Sequence, residues 1–218
     1  MPLTHTPSSH QRWQAGFTLP ELLVASALGL VALATFLSFN RFQLFALRNQ
    51  ATQLDVQTTA RAIVDLMARE LRRAGADPNC VKTFEGIAKG AATELRIQAD
   101  LDGNGAIDQP DENVTYRFNL EGGTVERIAG GVTDDLVSDV NLTGSVIRYY
   151  DGTGAELVPT GSPAELSNAQ RAAVRHVHVR LAMDSRAFDP QDSHPLRAQV
   201  STDVDLRNRF FVASTACP

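Results

Sequence analysis

The sequence lacks the short motifs by which common enzyme classes are recognised. It has no Gly-x-Ser-x-Gly element, no glycine-rich phosphate-binding loop and no His-Glu-x-x-His pair. It also lacks an excess of positive charge, because 25 acidic residues outnumber 20 basic ones and the formal net charge is -5. A mildly acidic chain has no overall electrostatic reason to bind nucleic acid. We therefore expect neither an enzyme nor a nucleic-acid-binding protein.

Cysteine is scarce, with only Cys80 and Cys217 in a chain of 218 residues. If most of the chain is exported to an oxidising compartment, these two thiols are expected to form one disulfide. The bond would join the segment after the predicted long helix to the C-terminus. Two unpaired thiols are the alternative, because the sequence gives no distance between them.

What the sequence does contain is one long apolar run near its N-terminus, from Gly16 to Phe39. The run is long enough to span a bilayer, which needs about 20 apolar residues. Its single ionisable residue is Glu21, and a charge at such a depth is costly enough to indicate a function. Residues 1–16 are polar, whereas a secretory signal peptide carries its apolar segment before the cleavage site. Any cleavage at Gly16 would therefore leave the apolar run in the product.

A Gly followed five residues later by a Glu, at the head of an apolar helix, resembles the prepilin signature of type IV pilins and type II secretion pseudopilins. The resemblance implies that a prepilin peptidase cuts between Gly16 and Phe17, removes residues 1–16 as a leader and methylates the new N-terminal Phe17. It also implies that Glu21 pairs with the N-terminal amine of a neighbouring subunit in a filament. A plain membrane anchor is the alternative, but it leaves Glu21 and the Gly16 junction unexplained.

The helical pattern continues beyond the apolar run. Apolar residues recur at three- and four-residue steps, as on one face of an amphipathic helix: Val56, Ala60, Ile63, Val64, Met67, Leu71 and Ala74. Gly75 is typical of the position after a helix, and Pro78 prevents continuation. We predict one helix over about 19–74, with a transmembrane segment at about 17–39 and a second half that packs against a sheet.

After residue 75 the hydrophobic period changes to two, which is typical of half-buried strands. Strands are predicted at 93–99, 114–118, 124–128, 140–150, 174–183 and 198–206. The predicted fold class is α+β, with the long N-terminal helix packed on an antiparallel sheet and a globular domain over residues 75–218. Together with residues 149–152 and 201–208, this architecture resembles that of the PilW-type minor pilins.

An acidic loop at residues 100–112 is the second informative motif. Ca²⁺ takes six to eight oxygen ligands on a sharply turning loop. The expected ligands are Asp100, Asp102, Asn104, the carbonyl of Ala106, Asp108, and Asp111 or, one place later, Glu112. Position twelve of such a loop is normally Glu, and here it is Asp111. We expect a structural calcium loop inserted into a sheet, and a solvated acidic turn is the alternative.

His176 and His178 are two residues apart on a predicted strand and therefore share a face. A metal site would need further ligands, and no Cys or third His lies nearby in the sequence. We expect both imidazoles to face solvent.

Taken together, these features predict a prepilin that matures into a filament subunit, specifically a PilW-type minor pilin that primes assembly of a type IV pilus or caps its tip. The expected partners are prepilin peptidase, other pilin subunits and the inner membrane, with the globular domain in the periplasm and later on the pilus surface. A type II secretion pseudopilin of the J-like kind is the closest alternative. A membrane-anchored calcium-binding receptor or adhesin domain is the alternative from another class, and it would keep residues 1–16.

Overall fold

The computed structural model describes residues 16–80, 84–138, 141–188 and 195–208. The chain divides into two compact units, Met1–Leu47 and Arg48–Pro218. The helices are α1 (Leu19–Arg73) and α2 (Asn168–Ala173), and a short 3-10 turn spans Pro110–Glu112. The strands are β1 (Ile87–Gly90), β2 (Glu94–Gln98), β3 (Asn113–Asn119), β4 (Thr124–Ala129), β5 (Val132–Val137), β6 (Val146–Tyr150), β7 (Glu156–Leu157), β8 (His176–Phe188) and β9 (Pro195–Asp205).

The first part of α1 is apolar on all sides. An 18-residue window of this helix has a mean hydropathy of 2.3, and none of the window is buried by the rest of the chain. By length and composition the helix can cross a membrane. Its exposed side chains include Leu22, Leu28 and Phe36, all more than half accessible. So much exposed apolar surface needs lipid or other protein subunits to cover it.

The second part of α1 supplies one wall of the hydrophobic core. Its buried residues follow the predicted stripe: Ala60, Ile63, Val64, Met67, Ala68, Leu71 and Ala74. The helix ends at Arg73, and Gly75 follows with φ of 76°, a conformation that glycine adopts without a Cβ clash. The Gly75 N–H donates to the Gln98 carbonyl at 2.8 Å, so the helix exit is attached to β2.

Two antiparallel sheets complete the core. One has five strands in the order β1-β2-β3-β4-β5, and the other has four in the order β7-β6-β8-β9. The α+β prediction of a long helix with antiparallel strands is confirmed. The predicted single sheet is in fact two, which share one core cluster.

The two sheets contact each other closely around Gly90. A Cβ at this position would lie 2.8 Å from Leu166 Cδ1, so any larger residue would force the Leu166 side chain to move. The Leu166 N–H donates to the Gly90 carbonyl at 2.8 Å, and Tyr149 Oη donates to the Ala91 carbonyl at 2.8 Å. These bonds satisfy polar groups where the end of β1 meets β6 and the loop before α2.

The strand predictions are right for β2, β3 and β4 to within a residue or two. β1, β5 and β7 were not predicted, because they are short or carry few alternating apolar residues. β6 occupies only the second half of the predicted segment 140–150, and residue 140 lies outside the described part of the chain. β8 is longer than predicted because it continues to Phe188 along β9.

Candidate functional site: the helix start and the acidic loop

The bond between Gly16 and Phe17 lies in a non-helical segment just before α1, and Phe17 is 87% exposed. An accessible backbone outside regular secondary structure is what a peptidase needs at its cleavage site. Glu21 is the third residue of α1. Its carboxylate accepts hydrogen bonds from the Thr18 backbone N–H at 3.2 Å and from Thr18 Oγ1 at 3.0 Å. This contact satisfies one of the unpaired N–H groups at the helix start.

The acidic loop joins β2 to β3, and two of its carboxylates are buried. Asp100 and Glu112 are 0% and 1% exposed. Asp100 accepts hydrogen bonds from the backbone N–H groups of Gly103 at 2.7 Å and Gly105 at 2.9 Å. The two glycines have φ of 77° and 82°, which produces the tight turn predicted at Gly105.

Glu112 holds the two ends of the loop together. Its Oε1 accepts the Leu101 N–H at 2.8 Å, and its Oε2 accepts the N–H groups of Asp108 at 3.0 Å and Gln109 at 2.9 Å. Hydrogen bonds from Gln109 and Leu101, and smaller contributions from Asp108 and Asp102, lower the pKa of Glu112. The carboxylate is therefore kept ionised inside the loop.

The side chains of Asp102, Asn104 and Asp108 lie close to one another in the same loop. Asp100, Asp102 and Glu112 each place one carboxylate oxygen within 4.8 Å of the others. Asn104 Nδ2 lies 3.0 Å from Asp102 Oδ2 and 3.3 Å from both oxygens of Asp108. The structure thus brings three of the predicted calcium ligands together, and the amide nitrogen of Asn104 links Asp102 to Asp108 beside them.

Asp111 has another contact, whereas the carbonyl of Ala106 stays a predicted ligand. The Asp111 carboxylate accepts a hydrogen bond from Arg127 Nη2 at 3.0 Å and is 67% exposed. The Ala106 N–H donates to Asn104 Oδ1 at 2.7 Å. Glu112, rather than Asp111, therefore occupies the closing position of the loop, as the sequence allowed.

Comparison with protein families identifies the chain. A family described as the prokaryotic N-terminal methylation motif matches residues 14–37. A second, described as prepilin peptidase-dependent protein B, matches residues 49–201, which is more than half of the chain. The chain belongs to the prepilin peptidase-dependent protein B family. The predicted resemblance to prepilins is thus confirmed, and the chain is a type IV pilin-like protein.

Among solved structures, a type IV-like pilin from Thermus thermophilus is similar to this prepilin-family chain. The sequences are 12% identical, the TM-score is 0.45, and the match covers 73% of this chain and 96% of that one. No curated protein matches the chain.

A buried ionic network connects α1 to the acidic loop, and sequence reasoning missed it. Glu70 is 5% exposed, and its carboxylate accepts hydrogen bonds from Tyr116 Oη at 2.6 Å and from Arg127 Nη2 at 2.9 Å. Burial raises the pKa of the Tyr116 hydroxyl, and the nearby Glu70 carboxylate raises it further. The signal in the sequence was Glu70 itself, a carboxylate beside Met67 and Leu71 on the apolar face of the helix.

The two histidines of β8 contact carboxylates of β9. His176 Nδ1 lies 2.8 Å from Asp205 Oδ1, and His176 Nε2 lies 3.1 Å from Asp203 Oδ1. His178 Nδ1 lies 2.7 Å from the same Asp203 oxygen. The ring nitrogens of His176 face different carboxylates, so the group does not converge on one point. Both imidazoles are partly exposed, as expected, but the sequence did not indicate their carboxylate partners.

The cysteine pair is only partly within the described residues. Cys80 lies just after α1, in a left-handed conformation with φ of 56°. Cys217 lies outside the described residues. The disulfide between Cys80 and Cys217 therefore stays a prediction.

Proposed function

We propose that the chain is the precursor of a minor pilin of a type IV pilus, which enters the filament through the first part of α1. The observation that supports this most directly is a lone carboxylate, Glu21, at the start of an exposed apolar helix. Family membership supports processing by prepilin peptidase. Cleavage after Gly16 would place the new amine of Phe17 four residues from Glu21.

The assembly step follows from the cost of burying charge. Once apolar helices pack in a filament, an unpaired Glu21 carboxylate would be expensive. Thr18 satisfies part of its hydrogen-bonding capacity, and a carboxylate has lone pairs left for another donor. The N-terminal ammonium of a neighbouring subunit supplies the opposite charge. Such a pair fixes the axial register of a subunit more than it adds stability.

Replacement of Glu21 by Gln tests this role. The variant keeps the size and apolar surroundings of the side chain, so we expect normal membrane insertion but strongly reduced incorporation into pili. Asp55→Asn is the matched control, because Asp55 is an exposed carboxylate of the same helix outside the apolar run. The measurement is the amount of each variant in sheared pili relative to membranes. Wild-type incorporation of Glu21→Gln would contradict the proposal.

A type II secretion pseudopilin shares the N-terminal signature and remains the second candidate. The two proposals differ in the filament that carries the protein. A minor pilin is expected to purify with type IV pili and to be required for their assembly. Loss of type II secretion with normal pili in a strain lacking the chain would favour the pseudopilin, and retention of residues 1–16 would favour an anchored receptor or adhesin.

We further propose that residues 100–112 bind one structural Ca²⁺. The chemistry of the donors fits this ion, since all are carboxylate or amide oxygens. Asp100, Asp102 and Glu112 would hold it, and Asp108 and Asn104 would join them once the Asn104 amide turns its oxygen from the Ala106 N–H to the ion. Each Asp100 oxygen accepts only one backbone N–H, which leaves a lone pair for a cation. Each Glu112 oxygen already accepts two, so we expect weak binding.

Thermal unfolding of the full chain in detergent micelles tests the calcium proposal. Ligand that binds only the folded state raises the melting temperature by mass action, so millimolar Ca²⁺ should give a higher value than chelator. Asp102→Ala should abolish this difference. Asp111→Asn is the matched control and should retain it, since Asp111 faces Arg127. Mg²⁺ should substitute poorly because it demands tighter octahedral geometry.

Calorimetry provides an independent measurement of the same loop. Heat of Ca²⁺ binding that disappears in Asp102→Ala would support the site. Identical melting in Ca²⁺ and chelator, with no heat of binding, would leave only a solvated acidic turn.

A further inference from the structure

A second concave site lies beside the acidic loop, over the outer face of the five-stranded sheet. Its volume is about 460 Å³, within the range of roughly 300–1,000 Å³ that is typical of small-ligand sites. Its walls come from β2, β3, β4, the loop segment at Ile107 and Asp108, and the turn at Gly130 and Gly131. The family match assigns it no role, and Asp108 is the one lining residue that the calcium proposal also uses.

Arg96 provides the positive charge of this cleft. Its Nε donates to Thr115 Oγ1 at 3.2 Å, which holds the guanidinium on the sheet surface. Within the described residues it forms no ion pair. Arg117 on the same face differs, since it pairs with Glu94 and Glu126 at 3.5 and 3.2 Å. The terminal nitrogens of Arg96 are therefore available to a carboxylate, which arginine binds through two parallel hydrogen bonds.

The rest of the lining limits the kind of ligand. Ile107 and Ile128 offer apolar surface. Asp108 contributes a negative charge to the same cleft that Arg96 makes positive. A purely anionic ligand would be repelled by Asp108. A ligand with a carboxylate, an adjacent apolar group and an N–H donor would satisfy all three kinds of lining. The C-terminal residue of a peptide has this combination.

The turn between β4 and β5 encloses one edge of the cleft because of a glycine. A Cβ at Gly130 would lie 2.8 Å from Pro110 Cβ, and its φ is 57°. The turn and the loop can therefore approach each other only with glycine at this position. This edge of the cleft is therefore a defined feature of the fold.

We propose that this cleft binds the C-terminal end of a peptide whose last residue is apolar, with the terminal carboxylate on Arg96. The proposal depends neither on the pilus role nor on calcium. It is tested by calorimetry on the full chain in detergent micelles, with chelator present. The probes are N-acetyl-Ala-Ala-Leu, the same peptide with a C-terminal amide, and free leucine.

The acid is expected to bind at least about tenfold more tightly than its amide, because the charged hydrogen bond to arginine is lost in the amide. Arg96→Gln should weaken binding of the acid by a similar factor. Arg117→Gln is the matched control, on the neighbouring strand β3 and the same face of the sheet, and it should bind like wild type. The melting temperature of each variant verifies folding.

Three results would overturn binding of a terminal carboxylate by Arg96. They are no binding of the acid, equal binding of acid and amide, and undiminished binding by folded Arg96→Gln. Tighter binding of free leucine than of the peptide would also refute the peptide assignment, since it would make the ligand an amino acid.

Discussion

At the scale of single residues, the least expected feature is the buried carboxylate Glu70. A charge this deep requires strong compensation, and it receives two hydrogen bonds from Arg127 and one from Tyr116. Arg127 in turn donates to Asp111 at the end of the acidic loop. The Arg127 side chain therefore joins α1, the five-stranded sheet and the acidic loop.

Glu70→Gln should be strongly destabilising, because it leaves the partly buried Arg127 without its main counter-charge. Breaking a buried pair costs about 3–5 kcal/mol. Tyr116→Phe removes only one hydrogen bond to a charged group and should cost about 1.5–3 kcal/mol. Urea unfolding of the chain in micelles measures both, with the exposed Glu121→Gln as control. A loss below about 1 kcal/mol for Glu70→Gln would show that the network contributes little.

The sequence predicted the residues at the helix start and in the acidic loop because both are contiguous motifs. The loop spacing indicated Asp100 but placed Asp111, one residue before Glu112, at the closing position, and Glu21 was indicated by its place in the apolar run and by the prepilin resemblance. The Glu70 network could not, since its members are 46 and 57 positions apart and meet only when β3 and β4 pack on α1. Periodicity indicates which face is buried, but it does not pair residues across elements.

At the scale of elements, β8 and β9 are joined by a cross-strand charge cluster. Burial alone would lower the pKa of His176, but hydrogen bonds to Asp205 and Asp203 outweigh it, so the pKa is raised above 6.5. The pKa of Asp203 is lowered, chiefly by His178. Opposite charges directly across an antiparallel pair favour this register.

The raised pKa of His176 makes pairing of these strands pH-dependent. The folded state binds the proton more tightly than the unfolded state, so the stabilisation is complete below about pH 6.5 and is lost as the pH rises through the folded pKa. Asp205→Asn should lower the pKa of His176. The free energy of unfolding should then change less as the pH rises above about 6.5. NMR titration of the imidazole resonances measures the shift, with Glu121→Gln, an exposed carboxylate outside these two strands, as control. An unchanged pKa in Asp205→Asn would contradict the assignment.

The elements themselves were predictable to different degrees. The amphipathic stripe of α1 and the alternating β2, β3 and β4 produce strong periodic signals. β5 does not, because most of its residues are exposed and Asp134 and Asp135 interrupt the pattern. Its strand geometry comes from pairing with β4. At this edge of the sheet, pairing with the neighbouring strand rather than the local sequence therefore determines that a strand forms.

At the scale of the whole molecule, the chain has one unit that ends at Leu47 and a second with its own hydrophobic core. The first exposes apolar surface that only lipid or other subunits can cover. The second buries its apolar residues between α1 and two sheets. The apolar helix of the first unit and the prepilin signature are both consistent with anchoring in a membrane.

The central claim of this account is that the chain is a prepilin, cut between Gly16 and Phe17. Mass spectrometry of the N-terminal peptide, on protein from cells with active prepilin peptidase, tests it most directly. The account predicts a mature chain that begins with N-methyl-Phe17, and a Gly16→Leu variant that keeps residues 1–16. An intact N-terminus on the wild-type protein in those cells would contradict it.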